Sequence, residues 1–321
     1  MDRGTASPRP AQHTMAGIAL VLLSLCVLSA LDAGGKWLMA AGLPLVILSW
    51  FRYAIHLVLA LAVIVPSRGW GILRSQRPRE QVLRGSAMLA ATLCFFTALH
   101  YLPQAEATAI NFLAPLLVLA LAPWVLREPA RLSRWVAAAI GFGGVLIVIR
   151  PGGGLHPVGT AFGLLGACCF AAQYLATRRV AGDDPLTSII WSGAMGAIAL
   201  TFALPFALAG SLPLLRDFTV VQWLVLVSTG ITGCLGHLLQ LAGYRRAPAS
   251  AVAPFTYLQI ASATAAGWLV WGQFPDPMTW VGIAIVCGSG IGIGAIEWRR
   301  SRAQNAGAVR AVSARRHSAT D

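Results

Sequence analysis

The chain has 321 residues, 57% of them hydrophobic and only 11% charged, against about 25% charged in an ordinary soluble domain. At a mean hydropathy of +0.71 there is too little polar surface to coat a water-soluble globule, and the composition calls for a bilayer. A net charge of +13 would suggest nucleic acid in a soluble protein. Here the cations stand between apolar runs, where they set membrane orientation, so no nucleic-acid partner is expected.

Met1 to Thr14 is polar, with Arg3 and Arg9. The apolar run that follows extends to about Met39, past a usual signal-peptide core, and reads as a retained helix. Ten segments are long and apolar enough to span: about 16–39, 44–65, 82–101, 103–126, 132–150, 157–177, 185–209, 219–243, 247–272 and 278–297. The expected organisation is an N-tail over 1–15, five spans over 16–150, five more over 151–297, and a basic C-tail over 298–321 that reads as disordered after Trp298.

The distribution of basic residues tests this count. With both termini inside, the inner segments hold Arg3 and Arg9; Arg68, Arg74, Arg77, Arg79 and Arg84; Arg127, Arg131 and Arg134; Arg178 and Arg179; Arg245 and Arg246; and the six arginines after Trp298. Only Lys36, Arg150 and Arg216 fall outside, and Arg52 lies within a span. A missed or invented span would scramble this alternation. The expected location is the cell inner (plasma) membrane, multi-pass, with both termini cytoplasmic. Cys26, Cys94, Cys168, Cys169, Cys234 and Cys287 all lie in apolar runs without His at ligand spacing. They read as small hydrophobes, neither a metal site nor a disulfide framework.

The two halves repeat weakly. Gly17 and Gly159 open them, and Pro44 with Trp50 is matched by Pro185 with Trp191. Ala105–Glu106–Ala107 falls on Ala249–Ser250–Ala251, and Glu128 with Trp135 on Gln273 with Trp280. Five spans per half force the second half to insert upside down, a transporter architecture with its site near the midplane. The predicted fold class is therefore all-α integral membrane, ten transmembrane helices as two inverted five-helix repeats.

Three stretches carry a family resemblance. They are "DAGGK" at 32–36 with "PLVILSWFRY" at 44–53, "LREPARLSRWVAAAIGFGGVLIVIRP" at 126–151, and "PFTYLQIASATAAGWLVWGQFPDPMTWVGIAIVCGSGIGI" at 254–293. They resemble the drug/metabolite transporter superfamily, EamA type, over about residues 16–297. Gln273 departs from the Glu often found there in that family. The resemblance implies the fold and a transport role for a small metabolite, most like carriers of cofactor-like solutes such as riboflavin or S-adenosylmethionine. It also implies a dimer-forming peripheral helix, here the Gly-rich tenth span with Gly288, Gly290, Gly292 and Gly294, so a homodimer is a candidate assembly.

A charge near the bilayer centre costs roughly 2.5–3.5 kcal/mol and usually faces a cavity or a partner. Ser29, Asp32 and Lys36 form one polar stripe, and Ser49, Arg52 and His56 another with the same spacing. At 1.5 Å per residue the stripes meet about 10–12 Å below the outer surface, so an Asp32–Arg52 ion pair is predicted, with Lys36 and Glu106 nearer the mouth. The pair is read either as a substrate contact or gate, or as packing alone. Asn111, Gln173, Tyr174, His237, Gln240, Tyr257 and Gln259 are softer polar groups that either line a cavity or bond between helices. Pro115 and Pro254 interrupt spans as hinges or as static kinks.

A secondary carrier, proton-coupled or exchanging, fits best. The alternative is an intramembrane enzyme: the HExxH and GxSxG motifs are absent, and a catalytic set would have to come from residues distant in sequence. A channel or structural subunit would not need the repeat. Without a Walker motif, ATP drive by this chain is not expected, nor is any cofactor.

Overall fold

A computed structural model describes residues 11–126, 132–150, 154–247, 252 and 255–317. Among them every regular element is helical. The helices are α1 (Ala11–Ala40), α2 (Leu45–Arg68), α3 (Pro78–Tyr101), α4 (Gln104–Asn111), α5 (Leu113–Val125), α6 (Leu132–Ile149), α7 (Pro157–Arg179) and α8 (Pro185–Ala209). They continue as α9 (Leu212–Arg216), α10 (Val220–Arg246), α11 (Leu258–Trp271) and α12 (Pro277–His317). A 3-10 turn, Trp70–Leu73, follows α2. Nine helical segments of the described residues are long and apolar enough to cross a membrane, α4 and α5 counting as one. The chain is an all-α, multi-pass membrane protein.

Helix ends in lipid must satisfy their own backbone groups, and the starts show how. Proline occupies the first turn of α3, α7 and α8, where no N–H is missed. Asp184 caps α8 through Leu186 N. Thr219 and Gln222 form a capping box on α10. Gly272, left-handed at φ 66°, ends α11 and turns the chain back.

The long helices pair in a recurring pattern. α1 lies along α10, and α3 along α7; α2 lies along α8, and α6 along α12. Flanking contacts recur too: α2 with α10 and α3 with α8, α1 with α11 and α5 with α7. Glycines permit the closest approaches. A Cβ on Gly17 would stand 2.6 Å from the Ala247 Cβ of the α10 C-cap, and one on Gly159 of α7 would stand 2.7 Å from the Tyr101 Cβ of α3. Gly144 of α6 and Gly282 of α12 abut so tightly that a Cβ on either would press the other's carbonyl. The core runs through Leu31, Leu38, Ile47, Leu48, Phe96 and Leu226. Phe202, Phe206 and Leu269 are over 70% exposed, as lipid contact requires.

Several sequence-based boundaries move. The third span begins at Pro78 rather than near 82, so Arg84 belongs to a helix and not to a loop. The fourth breaks at Phe112, because Pro115 has no N–H for the carbonyl of Asn111 and its ring crowds that carbonyl. Pro254, the other expected break, lies outside the described residues, as do Glu128 and Ala249–Ser250–Ala251. The last helix does not stop at the expected end of the tenth span near 297: α12 runs on to His317. An existing helix extends without a nucleation cost, and this Ala- and Arg-rich stretch carries helix formers. The cysteines are free, but Cys26 and Cys168 are exposed rather than buried.

Candidate functional site

The 3-10 turn and residues 75–76 meet residues 183–191: Asp183 accepts from Ser75 and Gln76, and Thr187 and Trp191 donate to the carbonyls of Ile72 and Leu73. Two cavities lie near these connections. The larger, about 810 Å³, lies between α5, α7, α11 and α12 and is walled by Phe112, Leu119, Arg134, Tyr174, Tyr257 and Gly294 among others. The smaller, about 470 Å³, lies between α3, α7, α8 and α10 and is walled by Arg84, Asp183, Ser188, His237, Gln240 and Tyr244 among others. Thr177 and Arg178 belong to both walls.

Aromatic rings shape the larger cavity. Tyr257 stacks on Phe112 with ring centroids 4.9 Å apart, and Tyr174 stacks on Phe170 at 6.3 Å. Gly290 makes the notch that admits Tyr257: a Cβ there would sit 1.4 Å from the tyrosine hydroxyl. One member of the Gly stripe, Gly290, is thus spent on a contact within the chain. Asn111 ends α4 beside the break, its Oδ1 buried without a partner.

The smaller cavity has polar walls. His237 meets His56 edge-on, ring centroids 5.9 Å apart, and Gly193 leaves the room His56 occupies. Arg84 donates from Nε to Thr177 Oγ1 at 2.9 Å, and from Nη1 to the Ser188 carbonyl at 2.8 Å and to Ser192 Oγ. At the rim, Asp183 accepts from Ser75 Oγ, from Gln76 N at 2.9 Å and from Gln81 Nε2 at 2.9 Å. These donors hold its carboxyl below the usual range against the opposing effect of burial.

A second polar group joins α1 to the loops after α3, α6 and α11. Lys36 Nζ donates to the Leu102 carbonyl at 2.7 Å and to Gln273 Oε1 at 3.3 Å, and lies 4.9 Å from the Trp271 ring centroid. Glu106 is buried within electrostatic reach of Lys36, Asp276 and Arg150. Arg150 and Asp276 form an ion pair, and Arg150 also donates to Thr279 Oγ1 at 3.1 Å. The Arg150 bond holds the Asp276 carboxyl below its ordinary range.

The predicted Asp32–Arg52 ion pair is not made among the described residues. The two groups are near enough to interact electrostatically, so α1 and α2 do bring these positions close together. Arg52 instead lies over the rings of Phe96 at 5.4 Å and Tyr53 at 5.6 Å, where the aromatic faces attract it. Asp32, at 8% exposed, stays buried on α1.

Sequence reasoning thus named Tyr174, Tyr257, His237 and Gln240, which line these two cavities, and Asp32, Lys36, Arg52 and Glu106, which are in neither wall. His56 and Asn111 stand just behind the walls. It passed over Arg84, Thr177, Arg178, Ser188 and Phe112. For Arg84 a signal existed: Pro78 marks a helix start, which places Arg84 almost two turns inside.

A bundle of long apolar helices defines the class: an integral membrane protein, here with metabolite-sized cavities among its helices. The chain belongs to the EamA-like transporter family, whose model matches it twice, over residues 15–150 and 157–294. It is 27% identical over 274 residues to an S-adenosylmethionine uptake transporter of Rickettsia bellii, covering 84% of this chain and 90% of that one. It is 29% identical over 274 residues to a riboflavin transporter of Vibrio cholerae, covering 81% and 86%. A riboflavin transporter of Brucella anthropi is 26% identical over 264 residues, covering 82% and 93%. A solved crystal structure shares the fold at TM-score 0.57 and 20% identity, covering 91% of this chain and 100% of the other. Family membership makes the chain a transporter of a small molecule and not an enzyme.

Proposed function

We propose that the chain is a secondary carrier for a cofactor-like metabolite, working by alternating access in the inner (plasma) membrane with both termini cytoplasmic. The reading includes ten spans in two inverted five-helix repeats. The recurring pairs support it, α1 with α10 against α3 with α7, as do the matching close contacts of Gly17 and Gly159. The observation that carries the proposal is the difference between the two ends: cavities walled by Arg84, Thr177 and Arg178 near the basic connections, and at the other end Lys36 bonded to Leu102 and Gln273 beside the Arg150–Asp276 pair. That is one end-state of a carrier, facing inward, with Lys36 and Gln273 in the outer gate.

Phe112, Tyr174 and Tyr257 suit a flat heteroaromatic ring, which stacks well on aromatic faces. The relatives named for S-adenosylmethionine and riboflavin share such a ring as their common chemistry. Asp32 and Glu106 are the carboxylates placed to couple transport to protons, with exchange as the other mode. Gly288 and Gly292, with nothing within 4 Å of a built Cβ, leave a face of α12 for a second copy of the chain.

The test is reconstitution into liposomes with labelled riboflavin, S-adenosylmethionine and a wider metabolite panel, with and without a pH gradient. Saturable uptake of at least one solute is expected. Asp32→Asn and Glu106→Gln should slow gradient-driven uptake more than exchange. Failure of every solute to be taken up tells against the carrier reading.

A further inference from the structure

Arg84 lies about 9 Å inside α3 from its start at Pro78, and it is only partly buried. Three bonds fix its guanidinium across three helices: to Thr177 of α7 and to Ser188 and Ser192 of α8. All three acceptors are neutral. Among the described residues no carboxylate pairs with Arg84, and Nη2 donates to nothing. A guanidinium inside a span without a counter-charge is costly, and the planar fork of arginine suits carboxylate and phosphate oxygens.

The remainder of that cavity is built in the same sense. Arg178, His237, Gln240 and Tyr244 join Arg84 in the wall. Asp183, the one carboxylate among the described residues of that wall, accepts from Ser75, Gln76 and Gln81. The charge of Arg84 therefore stands without a carboxylate among the described residues, beside a space of about 470 Å³ whose walls share Thr177 and Arg178 with the aromatic cavity.

We propose that the smaller cavity seats the anionic group of the transported solute, a carboxylate or a phosphate monoester, against Nη2 of Arg84, while the solute's ring occupies the aromatic cavity beside it. This rests on the carrier reading above and narrows it: the substrate is an anion-bearing heteroaromatic metabolite rather than a neutral one.

Two probe pairs differ by the anionic group alone: riboflavin with flavin mononucleotide, and decarboxylated S-adenosylmethionine with S-adenosylmethionine. Their affinities are measured by calorimetry on the purified full chain, wild type, Arg84→Lys and Arg84→Gln, with thermal midpoints recorded for each. In the wild type the anionic member of at least one pair should bind about tenfold more tightly or better, as one charge-assisted bond allows. Which pair shows it separates phosphate from carboxylate. Arg84→Gln should bring the two members within about twofold, chiefly by weakening the one that bears the carboxylate or phosphate, and Arg84→Lys should keep part of the preference. A wild type that binds both members of each pair alike, or that binds neither anionic probe, overturns the seat without need of any variant. So does an Arg84→Gln protein that retains the preference. Because neutral riboflavin can still enter liposomes in those cases, loss of the seat and loss of the carrier reading are distinguished.

Discussion

Gly290 is the residue whose smallness the larger cavity most depends on. The Tyr257 hydroxyl stands where any β-carbon would be, so Gly290→Ala must push the ring off its stack on Phe112. The displaced group is the far end of a side chain, so α12 itself should hold. Expected is a loss of about 1–3 kcal/mol, the usual overpacking cost, seen as a modest fall in thermal midpoint, with solute affinity reduced more strongly than stability. An affinity equal to wild type would separate Tyr257 from the site. At the same scale lies the Asp32–Arg52 disagreement. Depth follows from residue counting along two helices, but which way a guanidinium turns depends on the rings it meets. Phe96 comes from α3, about forty residues further along the chain, and no spacing within α1 and α2 reveals it.

At the scale of elements, the seams between helices are set by glycine. Gly17→Val and Gly159→Val should each destabilise, because each drives a branched side chain into a neighbouring backbone seam, α1 against the end of α10 and α7 against the end of α3. A cost of about 1–3 kcal/mol per site is expected, read as a lower melting temperature in detergent. The connections have their own latch. Asp183 gathers three donors from residues 75–81 and so ties the α2–α3 connection to the α7–α8 connection. Hydrogen bonds to a charged group contribute about 1.5–3 kcal/mol, so Asp183→Ala should speed proteolysis within residues 69–77. The pH sign follows from the lowered carboxyl. The folded state favours the ionised form, so the latch's contribution is present above the ordinary carboxylate value of 3.8 and is lost as pH falls below it through the lowered one. Susceptibility to protease should accordingly be flat from neutral pH to about 5 and rise only in stronger acid, with Asp183→Asn showing no such rise.

For the whole molecule, the arrangement of the halves predicts a labelling pattern. Single cysteines placed at Arg74 and Gly182, in a background without the native six, should both react from the same side of the membrane, and one at Asp217 from the other. Opposite-side labelling of the first two would break the inverted architecture. A state closed at Lys36 further predicts that a cysteine at Gln273 reacts slowly with an impermeant reagent in the resting protein and faster when solute drives turnover. An unchanged rate would remove that end from the gating cycle.

Sequence by itself determined the membrane class, the positions of most spans, the alternation of basic loops and the family. These follow from one-dimensional constraints: a bilayer of fixed thickness demands about twenty apolar residues per crossing, and cations stay where the membrane potential and translocation leave them. Only the tertiary structure decided the site. Arg84 meets Thr177, Ser188 and Ser192 because α3 packs against α7 and α8, roughly a hundred residues away in the chain, and the rotation of each helix about its axis is set by how glycine seams and side chains from distant helices interlock. Periodicity places a polar residue on a face of its own helix, but it does not reveal which neighbour, or which empty space, that face will meet.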